Sequence, residues 1–291
     1  MKSKFFTAAK ISDYATVIDG MGGERCYLIE GSDRALLIDG LTGVGSLKAF
    51  VRELTDKPVI IAATHGHIDH IGAAWEYGEV YINPDDIALM YSDMCTSIER
   101  RYGFVCARNE NPPAKPEDVI PYKNVKTYPI YDGDIFDLGG VELEVIAVPG
   151  HTYGTVVFLD RAARVIYSGD ACNSNTLLCL PGSTSIEEYR ASLEYLKTYQ
   201  GLVDKFWGGH GAEPMPVSII DDAIAMADRI LKGEDEAVPC TSVTGSSAYL
   251  GSARGENFLP VCGGYANIMY SPEKLHRAAK TKIKDTPRFE R

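Results

Sequence analysis

Short apolar runs of strand length alternate with stretches of helical period over most of this chain. Cys26 to Gly31, Ala35 to Asp39, Val59 to Ala63 and Val80 to Ile82 are dense in large apolar and β-branched residues and too short for helices, so each predicts a strand. Ser46 stands as an N-cap ahead of Leu47, Phe50 and Val51, and Pro84 opens a stretch predicted to run as one helix toward Arg101. The second half repeats the order. Val141 to Val148, Thr155 to Leu159 and Val165 to Tyr167 predict strands, and Ser185-Ile186-Glu187-Glu188 is a capping box opening a helix through Tyr199. Phe206-Trp207 predicts a short strand, and Val217 to Lys232 a helix stopped by Gly233. Two β-rich halves, each followed by helices, predict two sheets packed face to face with helices outside. Asn109 to Asn124, rich in Pro and charge, reads as a long connection, whereas Glu234 to Tyr270, rich in Gly and Ser, gives no clear pattern. A short helix and a basic tail are expected from Ser271 onward. The expected organisation is one domain over 1–291, with 234–291 as a C-terminal extension packed on it.

Bulk properties narrow the function. With 291 residues and 45% apolar content the chain can bury a large core. A net charge of −11 disfavours a nucleic-acid binder, which needs clustered Lys and Arg. The seven cysteines are odd in number, scattered and without a C-x-x-C pair, which points to free thiols in a reducing compartment. No run approaches the ~18 apolar residues of a membrane span, and the N-terminus does not read as a signal peptide. The expectation is a soluble cytoplasmic protein with a small-molecule substrate and no nucleic-acid or membrane partner; a homo-oligomer is compatible with all of this.

The chemistry gathers in one pattern. Five of the six histidines fall in Thr64-His65-Gly66-His67-Ile68-Asp69-His70, Pro149-Gly150-His151 and Gly208-Gly209-His210, with Asp170 of Ser168-Gly169-Asp170 between the last two. Three imidazoles and a carboxylate within six residues would be costly to bury unpaired, whereas around divalent cations each has a partner. The histidine run begins where the Val59 to Ala63 strand ends. In an extended loop His65, His67 and Asp69, two apart, converge on one cavity, and His70 swings toward a second position. His151, Asp170 and His210 also follow predicted strands, where a rigid scaffold presents reactive groups. Seven ligands exceed one tetrahedral ion and suit two: His65, His67 and His151 on one, Asp69, His70 and His210 on the other, and Asp170 bridging. The set lacks sulfur, so zinc is favoured and iron and manganese also fit.

The H-x-H-x-D-H run from His65 to His70, followed in order by His151, Asp170 and His210, resembles the metallo-β-lactamase-fold hydrolase superfamily. Ala35-Leu36-Leu37-Ile38-Asp39-Gly40 is similar to its strand ending in aspartate, and Asp132-Gly133-Asp134 with Gly139-Gly140 to its hairpin before the Pro-Gly-His turn. The resemblance covers roughly residues 12 to 215. It implies an α/β (α+β) fold, an αββα sandwich of two mixed β-sheets with outer helices and a dinuclear site at one sheet edge. A bridging aspartate, at Asp170, implies the glyoxalase II, lactonase and phosphodiesterase branches rather than true β-lactamases. His67 stands where di-iron members of the family usually carry glutamate. Tyr153 departs from the proline frequent there, altering the turn or placing a phenol at the cavity mouth.

Other residues weigh less. Gly40 to Gly45 reads as a tight loop over the site, since its glycine order does not match a dinucleotide fingerprint. No G-x-S-x-G supports a serine nucleophile. Cys172 is expected as a buried filler, and Asp39 either hydrogen-bonds a ligating histidine or caps the next turn. Met90 to Tyr102, with Arg100-Arg101, reads as a lid or anion-favouring wall, or as charges placed at a helix C-terminus. Tyr249, Phe258 and Tyr265 are candidates to line the cleft. The expected function is hydrolysis of a small ester, thioester or lactone by a hydroxide bridging two ions, with Asp69 and Asp170 as the catalytic carboxylates. Alternatives are a phosphodiesterase on the same site, a di-iron redox or sensing protein, and a protein that holds metals without turnover.

Overall fold

The structure, a computed structural model, describes residues 1–277 other than 110, 212, 256 and 257. Strands β1 (Thr7–Lys10), β2 (Ala15–Asp19), β3 (Arg25–Glu30), β4 (Ala35–Ile38), β5 (Val59–Ala62), β6 (Glu79–Ile82) and β7 (Lys126–Pro129) form one sheet in sequence order. The first four pair antiparallel and the rest parallel. Parallel neighbours need crossovers, and α1 (Leu47–Arg52) and α2 (Ala74–Tyr77) occur in the first two of them. The second sheet has the order β14 (Met215–Pro216), β13 (Lys205–Gly208), β11 (Val165–Gly169), β10 (Val156–Asp160), β9 (Glu142–Ala147), β8 (Ile135–Asp137). Only β11 and β13 run parallel, joined through α6 (Ile186–Lys197).

The pleat sorts each strand between two cores. In β4, Leu36 and Ile38 meet Tyr27, Val145, Phe158 and Tyr167 between the sheets, while Ala35 and Leu37 face Phe50, Val51 and Trp75 of the helical layer. On the far side α6 and α7 (Ile219–Lys232) lay Tyr189, Leu193, Ile220 and Ala227 over Ile146, Val157 and Ile166. Burial on both faces explains why β4 reads as an unbroken apolar run. The expected αββα sandwich is thus observed. The Gly- and Ser-rich stretch supplies β15 (Val238–Thr241), β16 (Ser247–Leu250) and β17 (Ile268–Tyr270), which join β12 (Thr176–Leu178) in a third, four-stranded sheet.

One expectation fails. The helix anticipated from Pro84 to Arg101 is a 3-10 turn (Pro84–Asp86) followed by α3 (Ile87–Met90), α4 (Asp93–Thr96) and α5 (Ile98–Arg108). Ser92 and Ser97 adopt extended backbone at the two breaks, and the Ser97 hydroxyl accepts from Arg100 N, restarting the helix. Arg100 and Arg101 therefore sit in a first helical turn, not at a C-terminus. Arg100 pairs with Asp93 at 2.6 Å, and the buried Arg101 donates to the Ile120 carbonyl. Met90 is core. Met90 and Arg101 are thus taken up in packing, while Arg100 stays exposed on the helix surface. The basic tail expected at the end lies, from residue 278, outside the described residues.

The Gly40 to Gly45 turn lies against the chain that follows His70: Gly40 N donates to His70 O at 2.6 Å and Gly72 N to Leu41 O at 2.8 Å. A Cβ on Gly72 would stand 2.2 Å from Gly43 N and 2.3 Å from the Thr42 carbonyl carbon, backbone atoms that cannot rotate away. Gly72→Ala is accordingly expected to cost about 1–3 kcal/mol, read as a lower urea midpoint in metal-free protein.

Candidate metal centre

Every sequence-predicted site residue sits just beyond the C-terminal end of a strand. His65 to His70 follow β5, His151 follows β9, Asp170 follows β11 and His210 follows β13. Because β11 and β13 are parallel, Asp170 and His210 emerge at one edge, tied by Gly209 N donating to Gly169 O at 2.8 Å. The two sheets join at the same edge, where Val156 N donates to Thr64 O at 2.8 Å.

The seven side chains meet in one place. The ligating atoms of His65, His67 and His151 lie within 4.8 Å of one another, as do those of His65, His70 and Asp170, and of Asp69, His70 and His210. Asp170 stands between the sets: its Oδ2 is 3.7 Å from His151 Nε2 and 3.5 Å from His210 Nε2, and its Oδ1 is 3.9 Å from His70 Nε2. Asp69 Oδ2 lies 3.3 Å from His210 Nε2.

Surrounding groups fix the rings. Nδ1 of His70 faces Asp39 Oδ2 at 2.8 Å, Nδ1 of His151 faces Leu177 O at 2.8 Å, and Nδ1 of His210 faces Gly23 O at 3.1 Å. These oxygens only accept, so Nδ1 carries the hydrogen and Nε2 turns inward. Asp39 thus takes the histidine-bonding alternative, and it also accepts from Thr64 N at 2.7 Å. His67 presents Nδ1 instead, 2.8 Å from His151 Nε2.

Electrostatics divides the cluster in two. Burial among neighbouring imidazoles pushes His65 down and His67 to about 3, and burial outweighs Asp170 in lowering His151. Burial also opposes charge on His70, but Asp39, Asp69 and Asp170 prevail and hold it up at about 9. His210 rises likewise, Asp170 and Asp69 overcoming burial. In turn the imidazoles, His70 for Asp69 and His210 for Asp170, overcome burial and hold both carboxylates down. Among the described residues His65 Nε2, His70 Nε2 and Asp170 Oδ1 are buried without any hydrogen-bond partner. Three orphaned buried polar atoms around one point fit a bound cation, which supplies the missing partner once His70 gives up its proton.

The other candidates lie elsewhere. Cys172 is buried filler, its thiol donating to Ile219 O and pushed up to about 12 by burial. Tyr153 is 52% exposed. Tyr249 packs on Tyr270, while Phe258 and Tyr265 are exposed, and none of the three touches the cluster through a hydrogen bond or ring contact among the described residues. Sequence reading missed Asp86: buried, it bonds to both histidine loops, and no motif marks it.

A sequence profile of the metallo-beta-lactamase superfamily matches residues 19–238. The chain belongs to that superfamily. It is a hydrolytic enzyme, and relatives named acyl-coenzyme A thioesterase MBLAC2 are 26% identical, over 206 residues in Gallus gallus and 199 in Homo sapiens, each match covering 63% of this chain and 71% of the relative. An uncharacterized protein of Aquifex aeolicus is 30% identical over 165 residues, 54% of this chain and 70% of its own. Solved structures share the fold: a metallo-beta-lactamase from Pontibacter korlensis (TM-score 0.56, 16% identity, 77% of this chain and 99% of that one) and the sec-alkylsulfatase Pisa1 from Pseudomonas sp. (TM-score 0.58, 17% identity, 78% and 42%). No helix among the described residues is long and apolar enough to cross a membrane.

Proposed function

We propose that this superfamily member is a dinuclear metal-dependent thioesterase, with small esters and lactones as its nearest alternative substrates. The observation that carries the reading is the position of Asp170, a carboxylate within 3.7 Å of one histidine set and 3.5 Å of the other, with an unpartnered Oδ1. His65, His67 and His151 would hold one ion, Asp69, His70 and His210 the second, with Asp170 shared. Bound there, two divalent cations, zinc by preference and iron or manganese as substitutes, would polarise a carbonyl and make water nucleophilic at neutral pH. The chain's own contribution is placement. Four Nδ1 contacts lock the rings of His65, His70, His151 and His210 before substrate arrives. Asp170, within reach of both sets, would orient the attacking water toward the acyl carbon, and the proton that water gives up would leave with the departing thiolate. Asp69, beside His210, keeps the second set assembled. The two MBLAC2 relatives supply the preference for thioesters. All seven cysteines are free, which supports a cytoplasmic setting.

The test is a panel on zinc-loaded protein: acyl-coenzyme A esters of several chain lengths, lactones and bis-(p-nitrophenyl) phosphate. Acyl-coenzyme A should be hydrolysed with at least a tenfold higher kcat/KM than the phosphodiester. The reverse order would replace this reading with a phosphodiesterase on the same residues.

A further inference from the structure

Asp86 is 1% exposed and stands at the N-cap position of α3, yet its side chain makes no capping bond to that helix. It points its oxygens at the metal loops instead. Oδ2 accepts from Gly66 N at 2.8 Å and from the Thr152 hydroxyl at 2.6 Å, and Oδ1 accepts from Gly154 N at 2.9 Å. Gly66 lies between His65 and His67, and Thr152 follows His151. One loop leaves the first sheet and the other the second, so this carboxylate spans both sheets. Contact is close on both sides: a Cβ on Gly66 would fall 2.7 Å from Asp86 O, and one on Gly154 2.7 Å from the Asp86 carboxyl carbon. Among the described residues no Lys or Arg pairs with Asp86 within the 4.0 Å of an ion pair. A buried carboxylate held only by neutral donors is expensive for the fold, and its three donors belong to one half of the site. The other half is braced through Asp39 on His70, and Asp39 also holds Thr64, whose hydroxyl faces His65 Nδ1 at 3.0 Å.

We infer that Asp86 is a positioning residue dedicated to the His65, His67 and His151 subsite, so that its loss weakens that subsite and spares the other. The inference rests on the two-subsite reading above.

Zinc binding tests it, measured by competition with a chromophoric chelator. Wild-type protein should take up two Zn²⁺ per chain. Removing a brace of this kind should weaken cation binding about 10–100-fold. In a His210→Ala background, where the intact subsite is His65, His67 and His151, Asp86→Ala should produce that loss. In a His151→Ala background, where the intact subsite is Asp69, His70 and His210, it should leave zinc affinity unchanged. Asp86→Asn can place its oxygen toward Gly66 and Thr152 and should recover most of the loss. It also serves, with Thr152→Val, if circular dichroism shows that Asp86→Ala does not fold. Equal weakening in both backgrounds, or none in the first, overturns the dedicated brace. A single zinc per wild-type chain instead overturns the two-subsite reading and leaves the outcomes distinguishable.

Discussion

Asp170→Ala should reduce kcat/KM for an acyl thioester by roughly 10³-fold or more, about 4 kcal/mol of transition-state stabilisation, while the far-ultraviolet circular dichroism stays that of the parent. The reason is geometric. Asp170 is the one carboxylate within reach of both histidine sets, and its Oδ1 has no other use among the described residues. Alanine there removes the group shared by the two proposed ions, and with it the carboxylate that would orient the attacking water. The backbone bond that holds its strand end, Gly209 N to Gly169 O, does not involve the side chain, so the fold should survive. His67→Ala should act with similar size by a different route, since His67 has an inward Nδ1 and burial holds its pKa at about 3, so that it would serve as a neutral ligand at working pH. Retention of more than about a tenth of the activity in either variant, a loss under ~1.4 kcal/mol, would contradict the roles proposed.

Stripping the protein with a strong chelator should abolish hydrolysis and also lower the thermal midpoint, by on the order of 10 °C for cations bound a thousandfold above their dissociation constant. Two buried carboxylates and five imidazoles then share one small volume, with only protons to balance them. That gives the pH dependence a sign. In metal-free protein His70 keeps its proton up to about pH 9, so cation binding near neutrality expels protons and apparent affinity should rise with pH from neutrality toward 9. Isothermal titration in buffers of different ionisation enthalpy measures the protons released. Zero release at pH 7 would mean that cations bind somewhere other than among these histidines. Re-addition of zinc, manganese or iron one at a time, with metal analysis, ranks the native ion, and colourless active zinc protein would remove the di-iron alternative.

Much of this was legible from residues alone, for physical reasons that differ by region. Buried on both faces, β4 gives a continuous apolar run that no solvent-facing alternation interrupts. The His65 to His70 run is local, so its metal character is visible without a fold. β1 and β7 are the edges of their sheet and largely exposed or half-exposed, which leaves no apolar signal to read. The third sheet was hidden because β15 to β17 are short and draw their partner, β12, from far back in the chain. Asp86 was invisible for a stricter reason. Its meaning depends on Gly66 and Thr152, 20 and 66 residues away, meeting at one carboxylate, and nothing in Asn83-Pro84-Asp85-Asp86 announces that. No Pro or Gly marks the helix break at Ser92 and Ser97, and of these two only Ser97 caps the helix that follows, its hydroxyl accepting from Arg100 N.

The most direct measurement is anomalous X-ray diffraction at the zinc edge from crystals grown with excess zinc. Two peaks roughly 3.5–4 Å apart are predicted, one among His65, His67 and His151, the other among Asp69, His70 and His210, with Asp170 contacting both. A single peak, or peaks away from these seven residues, would contradict the account.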